Sequence, residues 1–120
     1  MIIDDDPALL GFTCKYLLRL GYSVVPCRSS AEAWKDFELA PANYSLIVID
    51  LSMPVMNGLD AARELKRIMP GIPLIMFSEY SDSFSEQEAR SVGISALVSK
   101  SQHVSVLVEK ARSLFYDIAA

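Results

Sequence analysis

Leu46-Ile47-Val48-Ile49-Asp50 is an unbroken apolar run closed by an acid, and Met1-Ile2-Ile3-Asp4-Asp5-Asp6 repeats that pattern at the start of the chain. A short apolar run bounded by polar residues is the mark of a parallel strand covered on both faces. In open parallel sheets, ligands bind just beyond the carboxyl ends of the strands. Carboxylates at two such exits therefore meet in one crevice. Held that close, they repel one another unless a cation joins them. The pattern asks for a divalent metal.

Working outward, strand and helix signals alternate along the chain with short connections. Asp6 is a good N-cap and Pro7 suits the first helical position, which predicts a helix from Pro7 to about Leu20, stopped by Gly21. Tyr22 to Cys27 reads as a strand. Ser29 with Glu32 forms a capping box that opens a helix to Leu39. The strand Leu46 to Asp50 follows, then a helix from Gly58 to Met69, with Pro70-Gly71 as its stop. Leu74 to Phe77 reads as the fourth strand and Ser83 to Val92 as a polar helix ended by Gly93. Ala96 to Val98 is the fifth strand, and His103 to Ile118 the last helix. Five βα units predict an α/β fold, a doubly wound five-stranded parallel sheet. The flavodoxin-like order 2-1-3-4-5, one of the two common orders for such sheets, is the natural candidate. It gathers Asp4, Asp5, Asp50, Ser78 and Lys100 at the carboxyl ends.

Composition bounds the function classes. The chain has 120 residues, 52% of them apolar and 22% charged, which suits one globular domain with a full core. A net charge of −4 with no basic stripe argues against direct nucleic-acid binding. The apolar stretches are too short to span a bilayer. The amino terminus lacks the basic-then-apolar layout of a secretory leader, so a cytoplasmic protein is expected. Cys14 and Cys27 fit no metal spacing or disulfide framework and read as small core residues.

The sequence resembles the receiver domains of two-component response regulators over nearly its whole length, residues 1–120, with no output domain. The resemblance rests on Ile3-Asp4-Asp5-Asp6-Pro7, on Asp50-Leu51-Ser52-Met53-Pro54-Val55-Met56-Asn57-Gly58, on Ser78 and on Lys100. It implies that Asp50 accepts a phosphoryl group from a histidine kinase, a histidine phosphotransfer protein or a small phosphodonor. Asp5, Asp50 and the backbone carbonyl of Ser52 would ligate Mg²⁺ directly, with Asp4 acting through water. Mg²⁺ prefers hard oxygen ligands and would neutralise the clustered acids. Lys100 would pair with one phosphoryl oxygen, and the Ser78 hydroxyl would donate to another. The family output is a changed surface on helix 4, strand 5 and helix 5, open to a downstream effector or a homodimer partner. Such a domain promotes only its own phosphorylation and dephosphorylation.

Several residues depart from the family pattern. Leu97 stands where an aromatic gate is usual, and Ser101 where a proline usually follows the lysine. A cis bond before a non-proline residue costs about 2.5–4 kcal/mol, so a trans peptide is expected there. Glu79 adds charge and bulk where a small residue is usual, and Ser52 and Tyr80 fall where the family tunes phosphoryl lifetime. Met1-Ile2-Ile3 is short for a central strand, which suits a start several residues earlier with Met1 internal.

Other residues read more plainly. His103, the one histidine, is expected at the surface, and Trp34 half-buried away from Asp50. In the first helix, Leu10, Cys14 and Leu17 form a core stripe with Leu18 at its margin. Leu9, Phe12 and Tyr16 extend that stripe round the side as a broad apolar face or a partner patch. In the last helix Val104, Leu107, Val108, Ala111, Leu114 and Phe115 suit the sheet, while Val106 lies off that stripe. Two rival readings compete with the receiver. A haloacid-dehalogenase-type phosphohydrolase wants Asp-x-Asp-x-Thr, but Ala8 replaces the Thr. A receiver fold that no longer switches, acting as a constitutive interaction module, fits Leu97 and Ser101 but gives no reason for the acid cluster.

Overall fold

The computed structural model describes residues 1–40, 44–50, 58–78 and 86–119. The order is β1 Ile2–Ile3, α1 Pro7–Arg19, β2 Pro26–Cys27, α2 Ser30–Leu39, β3 Ile47–Ile49, α3 Gly58–Ile68, β4 Leu74–Ser78, α4 Glu86–Ser91, β5 Ala96–Ser99 and α5 Val104–Ala119. All strand pairs are parallel, and the five-stranded sheet has the order β2-β1-β3-β4-β5. This is the expected doubly wound, flavodoxin-like arrangement.

Local chemistry explains the boundaries. Asp6 Oδ1 accepts from the N–H groups of Ala8 (3.1 Å) and Leu9 (3.3 Å), satisfying two donors that α1 would otherwise leave free. Gly21, at φ +92°, turns the chain out of that helix while Tyr22 N–H returns to Leu17 O. At α2, Ser29 Oγ accepts from Glu32 N–H (3.2 Å) as the capping box requires. The returning Glu32 carboxylate accepts instead from Arg28 N–H (2.8 Å), one residue earlier than expected. Gly93, at φ +93°, stops α4, and the Lys66 stem packs where a side chain at that position would stand.

Strand alternation sorts the core into two layers. Ile3, Ile47, Ile49, Leu74 and Met76 face α2, α3 and α4, where Phe37, Ala61, Ala62, Leu65 and Ala89 meet them. Ile2, Val48, Ile75, Phe77 and Val98 face Leu10, Cys14 and Leu17 of α1 and Val104, Leu107, Val108 and Ala111 of α5. Both cysteines are buried and free, and Trp34 is half-buried against the first layer.

Three expectations change. The second strand covers Pro26–Cys27, not Tyr22 to Cys27, because β1 offers only Ile2 and Ile3 to pair with it. Leu18 is 54% exposed, and Thr13 joins Leu10, Cys14 and Leu17 in the buried stripe, giving the spacing i, i+3, i+4, i+7. Val106 packs partly against the α1–α5 layer instead of standing clear of it. The Ser83 start of the polar helix lies outside the described residues, as does the side chain of Phe115.

Candidate functional site

The sheet ladder carries the acids to one edge. Asp4 N–H donates to Cys27 O (3.0 Å) and Asp50 N–H to Ile3 O (2.9 Å), so both backbones continue the sheet pairing just past the strands. Asp4 and Asp50 are 3% and 5% exposed, while Asp5 is exposed to solvent. One carboxylate oxygen from each of Asp4, Asp5 and Asp50 lies within 4.8 Å of the others.

Lys100 enters the same crevice from the turn after β5. Its Nζ stands 2.7 Å from Asp4 Oδ2 and 3.4 Å from Asp50 Oδ1, with the lysine side chain only 7% exposed. Burial alone would lower the Lys100 pKa. The hydrogen bond and charge of Asp4, then the charge of Asp50, outweigh burial and raise it. The Phe77 ring lies below the ammonium at 5.9 Å to its centroid, within cation–π range. Asp4 is engaged at both oxygens, since Oδ1 accepts from Asp6 N–H (3.0 Å).

Of the site residues expected from sequence, Asp4, Asp5, Asp50 and Lys100 come together. Ser78 ends β4 in register with Ser99 of β5, so its backbone lies at the same edge; its side chain lies outside the described set. Ser52, Glu79 and Tyr80 lie outside the described residues. His103 is exposed as expected, its ring edge-on to Tyr16 at 6.1 Å between centroids. Sequence reasoning missed Phe77 and the hydroxyls of the 99–101 turn. A Ser-x-Ser pair astride a lysine expected in the site is the signal that points to the turn, because serine hydroxyls bond backbone two residues on.

The donor set fits Mg²⁺. It consists of hard carboxylate oxygens, two of them on Asp5 and Asp50 beside an Asp4 already held by Lys100 and Asp6 N–H.

Comparison with known proteins decides the family. The response regulator receiver domain model matches residues 1–112. This chain belongs to the response regulator receiver family. The receiver is 30% identical over 100 residues to the transcriptional regulatory protein GlrR of Escherichia coli K12, covering 83% of this chain but 22% of that protein. It thus spans about a fifth of that relative's length. Among solved structures, TrrA of Thermotoga maritima, in complex with Mg²⁺-BeF, is 27% identical with a TM-score of 0.83, covering 94% of this chain and 95% of that one. A receiver domain from Clostridium thermocellum shares the fold at a TM-score of 0.91 with 23% identity, covering 98% and 94% of the two chains. The receiver is thus a signalling phosphoacceptor domain by family. No described helix is long and apolar enough to cross a membrane.

Proposed function

We propose that this receiver takes its phosphoryl group on Asp50, from a phosphohistidine of a kinase or phosphotransfer protein or from a small phosphodonor. The observation that carries the reading is Asp50, a buried carboxylate at a strand exit, in contact with the Lys100 ammonium and grouped with Asp4 and Asp5. Mg²⁺ held by Asp5, Asp50 and the Ser52 carbonyl would neutralise the acids and the charge on the transferring group.

The remaining work falls to the chain itself. A carboxylate oxygen of Asp50 attacks phosphorus as the bond to the donor nitrogen breaks and the imidazole keeps that electron pair. The product is an acyl phosphate on Asp50. Such transfer needs positioning and charge stabilisation more than covalent help. Lys100 supplies a cation already 3.4 Å from the nucleophile and pairs with a phosphoryl oxygen. Asp4 holds that cation in place from the other side. The Ser78 hydroxyl donates to a further oxygen, drawing in the segment after β4. Water later attacks phosphorus, releasing inorganic phosphate and restoring the Asp50 carboxylate.

Residues 1–120 form one receiver unit in this reading, working in the cytoplasm without contacting nucleic acid itself. Its output surface is formed by α4, β5 and α5, offered to an effector or a second copy. Half-buried Leu97, packed with the α2–α4 layer, follows the motion there as an aliphatic side chain in place of a ring. The test is intact mass after incubation with acetyl phosphate and Mg²⁺. One phosphoryl adduct, lost with EDTA and in Asp50→Asn, is expected. An adduct that survives Asp50→Asn, or none even under beryllofluoride trapping, overturns the proposal, the latter in favour of a constitutive interaction module.

A further inference from the structure

Lys100 has a long way to reach. Its strand, β5, is separated from β1 by β4 and β3, three strand spacings or roughly 14 Å at about 4.8 Å each. A fully extended lysine covers only about 6 Å from Cα to Nζ by standard bond lengths. The Nζ nevertheless stands 2.7 Å from Asp4 Oδ2, beside β1. The 2.7 Å contact and the Asp4 side chain together span roughly 6 Å more by the same bond lengths, so the turn after β5 must bring the Lys100 backbone the last few ångströms toward the acids.

Residues 99–102 build that turn from their own polar groups. Gln102 N–H donates to Ser99 O (3.1 Å), closing a four-residue turn with Lys100 at its second position. Ser99 N–H donates to Gln102 Oε1 (3.4 Å). Ser101 N–H donates to Ser99 Oγ (3.2 Å), and the two serine hydroxyls lie 2.7 Å apart. A serine hydroxyl that accepts from the N–H two residues on imitates a backbone turn and fixes its direction. Ser101 can donate that N–H; a proline there could not.

We propose that Ser99 is a positioning residue, whose hydroxyl sets the turn that aims Lys100 into the acidic crevice. It touches neither Asp50 nor the phosphoryl group and acts only through Lys100. The inference rests on the phosphoacceptor reading for its effect on rate, but not for its effect on Lys100 geometry.

Ser99→Val and Ser99→Thr give the test, since they share one branched shape suited to a strand end and differ in the hydroxyl. In Ser99→Val, phosphorylation by acetyl phosphate should slow about tenfold, the effect of losing one hydrogen bond. The ¹⁵N-NMR signal of the Lys100 ammonium, sheltered from exchange by its contact with Asp4, should broaden away in Mg²⁺-free protein. Ser99→Thr should keep both. Equal rates and equal ammonium signals in the two variants overturn the proposal. Loss of the signal in Ser99→Val alone, with no phosphorylation in any protein, sustains the positioning role while the phosphoacceptor reading falls.

Discussion

The two ends of the sheet hold ammonium groups that behave in opposite ways. At the carboxyl end, Lys100 lies between Asp4 and Asp50 and its pKa is raised. At the amino end, in a chain that starts at Met1, its amino group donates to Leu46 O (3.0 Å) beside a cavity of about 430 Å³ whose walls include Leu17, Tyr22, Val24, Val48 and Leu107. Burial there lowers its pKa to about 6, outweighing the opposing effects of Cys27 and then Cys14. Lys66 follows the amino terminus: its Nζ donates to the carbonyls of Ile72 (2.6 Å) and Pro70 (3.3 Å), and burial lowers its pKa too. Carbonyl acceptors satisfy an ammonium's hydrogen bonds without cancelling its charge. Only paired carboxylates do both, and they stand at the end of the sheet where chemistry is expected.

The contrast can be broken most forcefully at Lys100. In Lys100→Met, Asp4 and Asp50 stay buried with their cation gone, which should cost about 3 kcal/mol in urea melts without divalent ions. Mg²⁺ should return more stability to this variant than to the parent protein. Equal melts for variant and parent would mean that the acids do not depend on the lysine.

The amino end should show its charge through pH. A chain whose free amino group is that of Met1 binds the proton more weakly folded, near pH 6, than unfolded, near 8.0. Between those values the unfolded chain holds more protons, so stability rises with pH. The contribution is complete above about pH 8 and lost as pH falls through about 6, on the order of 2–3 kcal/mol. Acetylating the amino group should flatten this part of the profile. For Lys100 the sign reverses: its raised pKa contributes stability at neutral pH that disappears only as pH rises through the folded value.

Asp6 should give the smallest effect. It adjoins the acid cluster but serves as the α1 N-cap, so Asp6→Ala should cost about 1 kcal/mol while Asp50 is still phosphorylated. A phosphorylation defect larger than the stability loss explains would move Asp6 into the site.

Much of this was legible in one dimension. The apolar runs ending at Asp4 and Asp50 marked the parallel strands, and Asp6-Pro7 marked where α1 begins, because both signals are local and depend on few neighbours. The Tyr22 to Cys27 run misled because a strand exists only for as long as its partner does, and β1 is two residues long. Leu18 misled for a similar reason: hydropathy cannot tell which side of a helical stripe the sheet will cover.

The sequence by itself determined the fold class and the residues at the strand exits, and narrowed the strand order to a natural candidate that the sheet then fixed. Periodicity, capping and chain-crossing rules leave few other arrangements for five βα units. Tertiary structure alone decided that Lys100 would cross two strands to reach Asp4, that Phe77 would lie beneath its ammonium, and that one buried amine would be favoured and another suppressed. Those outcomes depend on distances between residues far apart in the chain, and electrostatic energy inside a protein is set by such distances and by the water excluded between them.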